Sequence, residues 1–159
     1  AELLHRFSAA VQHRDGDALQ ALVSPAHGLT VRISWWNPAV QFSPQEVADL
    51  FAEGRVYAWG VQDGSGLPVQ GSFAQVILPL LDDVLGGEFE RYCNDLESGS
   101  GPSAGLKIWP PEYAAVNYYA LYRPAPADME FDWATWAVGI EYVNGQPFIA
   151  FLVHYAWEI

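Results

Sequence analysis

The chain is short of cysteine, of histidine and of positive charge, and each shortage closes off a class of function. It has one cysteine, Cys93, and four histidines, at 5, 13, 27 and 154. A lone thiol makes no intrachain disulfide, and no Cys/His grouping has the spacing of a zinc site, so neither a metal nor a cofactor is expected. Lys and Arg total 7 against 19 Asp and Glu, a net charge of −12. A surface of that sign repels phosphate backbones and anionic headgroups, which argues against nucleic acid and against a polybasic membrane contact. No apolar run approaches the ~20 residues of a membrane span. The motifs H-E-x-x-H and G-x-G-x-x-G and the P-loop are all missing.

What is abundant is apolar and aromatic: 51% and 14% of the chain, with seven tryptophans. That is enough to fill a core, so a disordered chain is excluded. The length suits one domain, residues 1–159, and no repeat or linker divides it. The acidity keeps so apolar a chain in solution.

Local signals order the elements. Leu3, Leu4, Phe7, Ala10 and Val11 recur at helical spacing. The amphipathic start, AELLHRF, is read as a helix and not as a signal peptide. Asp17 is the expected cap of a second helix over 18–23, ended by Pro25. "GLTVRISWW" alternates as a strand with Leu29, Val31, Ile33 and Trp35 on one face. Ser43, Pro44 and Glu46 make a capping box with proline at the first helical position. Residues 55–61 and 68–71 flank Asp63-Gly64-Ser65-Gly66, a hairpin turn and not a calcium loop, because the spaced ligands are missing. Ser72 caps "FAQVILPLLDDVL", where Pro79 is expected to kink or shorten the helix. Asp82 and Asp83 sit oddly at its negative end. Strands follow over 89–96 and 114–122, separated by a Gly/Ser/Pro-rich loop. Two long strands joined by Asn144-Gly145 close the chain.

A two-residue turn sets register. Val143 opposite Gln146 puts Trp136 opposite Val153 and Ala134 opposite Tyr155, a face that is apolar but for Asp132 opposite Trp157. His154 then falls opposite Thr135 on the second, more mixed face. Asp132 among rings is the expected acid/base, since desolvation raises a carboxylate's pKa. His154, which titrates near neutrality, is the second catalytic candidate. The aromatic strand residues Trp35, Tyr57, Trp59, Tyr118, Trp136, Tyr155 and Trp157 are the expected lining of a cavity for a small apolar or amphipathic molecule.

The order of elements, two helices, a strand, a hairpin, a helix and four antiparallel strands, resembles the NTF2-like (cystatin-like α+β) superfamily. That resemblance implies an α+β cone: a curved antiparallel sheet around helices, with a conical cavity. "WGVQDGSGLPVQGSFAQVILPLL", "EFDWATWAVGIEY" and "FLVHYAWEI" are moreover similar to an uncharacterised family of bacterial secreted proteins and lipoproteins. Its members carry a DGSG turn and an H-x-x-W-x-I ending. Tyr155 and Ala156 stand where those proteins have Asp and Gln, so any polar site there is altered. The resemblance implies export and an extracytoplasmic location, and no established activity.

Three functions remain open. The first is a binding domain with an aromatic cavity, for a small molecule or a protein partner. The second is an isomerase, dehydratase or hydrolase with Asp132 as acid/base and Tyr155 or Tyr57 orienting substrate. The third is a homodimer through Phe148, Leu152 and Trp133 on the outer sheet face.

Overall fold

In a computed structural model, which describes residues 2–159, the chain is α+β. The amphipathic start forms α1 (Glu2–Gln12), which buries Leu4, Phe7, Ala10 and Val11. The next helix, α2 (Gly16–Leu22), is capped by Asp15, whose carboxylate accepts from the Ala18 amide at 3.0 Å, and not by Asp17. Arg14, with φ at 53°, turns the chain just before Asp15, whose side chain reaches the free amides of the first turn. Strands β1 (Leu29–Arg32) and β2 (Val40–Phe42) lead into the short α3 (Pro44–Val47), where the Ser43–Glu46 capping box forms as expected. The hairpin of β3 (Tyr57–Val61) and β4 (Pro68–Gly71) turns at Gly64 and Gly66, both at positive φ.

Helix α4 (Phe73–Leu85) runs through Pro79 unbroken. The proline is on the exposed face, where the carbonyl it leaves without a donor can reach water, while Ile77, Leu78 and Leu81 hold the buried face. Ser72 and Gln75 close a reciprocal cap at its start. Ser72 is itself buried, so Ser72→Ala is expected to cost about 1 kcal/mol, read as a lower urea midpoint at unchanged slope. The acidic end is neutralised from elsewhere: Arg14 binds Asp82 at 2.6 Å, and Arg123 binds Asp83 at 2.9 Å.

Then come β5 (Glu90–Cys93), β6 (Asn117–Arg123), β7 (Ala134–Val143) and β8 (Gln146–Ala156). The main sheet has the order β2-β1-β8-β7-β6-β5. It is mixed and not wholly antiparallel, because β1 lies parallel to β8. The helices and the β3–β4 hairpin cover one face around a core that includes Trp59, Phe73, Trp136 and Leu152. The other face is covered as well. Loop 94–116 lies over it, held by hydrogen bonds from Trp133 to the Pro102 carbonyl, from Thr135 to that of Gly99 and from Tyr155 to that of Ile108.

The last hairpin holds its expected register only as far as Ile140 opposite Ile149. A bulge follows: Gly139 faces Phe151, so Ala150 is an extra residue on β8. A Cβ on Gly139 would lie 2.9 Å from that of Phe151 and 3.2 Å from the Trp109 ring, so glycine is what admits both rings there. Beyond the bulge each β8 side chain exchanges faces. His154 is opposite Trp136 on the helix side, Tyr155 is opposite Thr135 under the loop, and Leu152 is in the helix-side core. The outer patch of Phe148, Leu152 and Trp133 is therefore not assembled: Trp133 and Leu152 are buried, on opposite faces.

Candidate functional site

At the far end of β8 the sheet, α4 and the β3–β4 hairpin leave a cleft of about 320 Å³. Val76 and Leu80 from α4, Val69 from β4 and His154 from β8 line it, with Ile33 beside them. These two α4 residues are only partly buried, and both line the cleft. Segment 33–37 is a second wall. Asn37 fixes it, donating to Ser34 Oγ at 2.8 Å and the Val61 carbonyl at 3.0 Å and accepting from the Val61 amide at 3.0 Å. Gly60, at φ +115°, makes room for that clamp, since a Cβ there would lie 2.1 Å from Asn37 Oδ1.

Trp35, Trp36 and Trp157 contribute the aromatic part of the lining. Trp35 donates to the Leu106 carbonyl at 2.9 Å, and Trp36 donates to Glu158 Oε2 at 2.8 Å. Trp157 leans on Phe131, with ring centroids 5.0 Å apart. Asp63, Lys107 and Glu158 supply the charge. Partial burial pushes the Glu158 carboxyl up, against the Trp36 hydrogen bond that lowers it. The Lys107 ammonium is turned to the Gly101 carbonyl at 2.7 Å and lies 5.9 Å from the centre of the Trp133 ring.

Three buried side-chain atoms have no hydrogen-bond partner among the described residues: Arg32 Nε, Arg123 Nε and His154 Nε2. Only His154 of these lines the cleft. Its ring lies 5.0 Å from that of Trp136. Desolvation pushes its pKa down to about 4, against a hydrogen bond with the Ile33 backbone that favours the charged form. At neutral pH the ring is therefore uncharged, with Nε2 unpartnered among the described residues.

The structure thus places His154 on the face opposite to the expected one, and brings Trp35, Tyr155 and Trp157 to the same cleft. The other expected lining residues are elsewhere. Trp59 is fully buried and donates to the Gly71 carbonyl; Trp136 is fully buried and donates to that of Leu80. Tyr57 packs on Phe42 and donates to Glu53, and burial pushes its phenol up to about 12. Tyr118 stacks on Trp109 on the outer side. Tyr155 reaches the cleft edge, but its hydroxyl is spent on Ile108 and burial drives its pKa up.

Asp132 precedes β7 and is half exposed, 3.3 Å from Arg123, and not on the apolar face. A turn bonding its amide to the Met129 carbonyl carries it out of the strand. It does not line the cleft that His154 lines. Among the described residues no His/Cys/Asp/Glu group could hold a metal, and no helix is long and apolar enough to cross a membrane.

No family model, no curated protein and no solved structure matches this chain.

Sequence reasoning missed Glu158, Lys107 and Asn37. Glu158 had a signal, as the charged residue immediately after Trp157 at the end of an apolar strand. The other two are on irregular segments that carry no periodicity. A second depression, of about 500 Å³, is lined by His27, Glu141 and Phe151 among others. Its histidine is exposed and already bonded to Glu141 at 2.5 Å, so nothing there awaits a partner.

Proposed function

We propose that this chain is a non-catalytic binding domain that holds a small amphipathic molecule in the cleft at the end of β8. The observation that carries this reading is His154 Nε2, a buried polar atom without a partner in an aromatic-lined cleft. Leaving such an atom unpaired costs roughly 1–3 kcal/mol, which an occupant with a donor recovers. The Asn37 clamp and the Trp35 and Trp36 hydrogen bonds fix the walls beforehand, which lowers the entropy cost of binding. The order of elements supports placing the fold with NTF2-like domains, with the pocket at the strand end and not in a conical core. The DGSG turn and the His154-to-Ile159 ending support an exported, extracytoplasmic protein.

The experiment is native mass spectrometry of freshly purified protein, followed by the same sample denatured. A small added mass that disappears on denaturation is expected, and Trp36→Ala is expected to lose it. A native mass equal to the denatured mass in every preparation, with indole resonances of Trp36 and Trp157 unmoved by a fragment library, would sink the proposal.

A further inference from the structure

The polar groups of the cleft are unlike one another. The less exposed part of its lining includes the buried His154 and the half-buried Ile33, Val69, Val76 and Leu80. His154 Nε2 has no hydrogen-bond partner among the described residues, and the neutral imidazole protonated at Nδ1 presents that atom as an acceptor. Toward solvent stand two indoles, Trp36 and Trp157, each exposed by more than a third. With them is the Glu158 carboxylate, oriented by the Trp36 N–H at 2.8 Å. Indole faces and a carboxylate together are what an organic ammonium binds. Lys107, the cation of the lining, is turned away to Gly101 and does not neutralise Glu158. A net charge of −12 adds long-range attraction for a cation.

We propose that the cleft selects an organic cation with an apolar body and a hydroxyl or N–H at its inner end. The ammonium lodges with Glu158, Trp36 and Trp157, and the inner donor meets His154 Nε2. This deepens the binding reading given above and rests on it. Neutral lipids and fatty anions are disfavoured: the first leave Glu158 without a counter-charge, and the second meet it with like charge.

Three probes of similar shape divide the claim. Tyramine carries both the ammonium and the phenolic donor, 4-ethylphenol the donor alone, and 2-phenylethylamine the ammonium alone. Calorimetric titration at low salt is expected to find tyramine bound about tenfold more tightly than either of the others. Glu158→Gln keeps an acceptor for Trp36. It is expected to remove the advantage of tyramine over 4-ethylphenol while leaving 4-ethylphenol unchanged. His154→Phe, its fold verified by circular dichroism, is expected to remove the advantage of tyramine over 2-phenylethylamine. If 4-ethylphenol binds the wild type as tightly as tyramine, or Glu158→Gln leaves the gap intact, the cation assignment is overturned and the binding cleft stands. If no probe binds and no indole resonance moves, the cation assignment and the binding cleft fall together.

Discussion

Replacing Trp136 with alanine is expected to cost about 3–5 kcal/mol, the largest single-residue effect we predict for this chain. The ring is fully buried in the middle of the helix-side core. It bridges two layers, because Nε1 donates across to the Leu80 carbonyl of α4 at 2.9 Å. It also makes the floor against which His154 packs. Truncation removes a large apolar surface, leaves a void that the flanking strands cannot close, and takes a donor from a helix carbonyl. Trp136→Phe, which keeps most of the ring and loses the N–H, should fall well short of that cost. Trp157→Ala is the control, because this indole is already 39% exposed and deleting it should cost about 1 kcal/mol or less. Urea unfolding of the three variants gives the ranking, and equal losses for Trp136→Ala and Trp157→Ala would contradict the packing described here.

The contrast between those two tryptophans was not legible in the sequence, where both were rings on strands. The legible features were local. The Ser43 and Ser72 caps, the DGSG turn and the Asn144-Gly145 turn each lie within a few residues, and all formed as expected. What failed depended on partners far along the chain. The parallel union of β1 with β8 joins segments more than a hundred residues apart and leaves no periodic trace. Loop 94–116 has no period at all, and it covers the outer face through carbonyls that any sequence carries. This covering is what leaves Tyr118 and Trp133 in a second core and not at a surface.

The register error is more instructive, because a signal for it was present. An isolated glycine inside a strand pattern marks a bulge or a close backbone approach, and Gly139 is both. Strict alternation carried past it reverses every later face of β8. That one residue exchanged His154 with Tyr155, removed Leu152 from the outer patch, and hid the cleft. Asp132 was misplaced for a simpler reason: the strand begins at Ala134, so the alternation assigned to Asp132 had no strand beneath it.

The corrected place of His154 makes acid a direct test of the site. Taking the protein from pH 7 to pH 4 is expected to cost roughly 3 kcal/mol of stability through this ring alone. In the unfolded chain an imidazole takes up a proton below its ordinary value of 6.5, whereas burial holds the folded ring neutral down to about 4. Between those values the unfolded state binds more protons, so stability falls as pH falls, from 6.5 to about 4, and the loss levels off below. Carboxylates held low by hydrogen bonds, Glu46 and Asp95 among them, add their own acid losses. His154→Gln separates the contributions, because the variant keeps those carboxylates and a side-chain donor but cannot titrate. Urea unfolding at pH 7, 5.5 and 4 should show the stability of the wild type relative to the variant shrinking by roughly 3 kcal/mol across the series. Parallel pH profiles would mean that the folded ring protonates freely, in contact with water. A bound occupant sharpens the outcome: if it donates to Nε2 it binds only the neutral ring, so it should deepen the acid loss in the wild type and leave the variant unaffected.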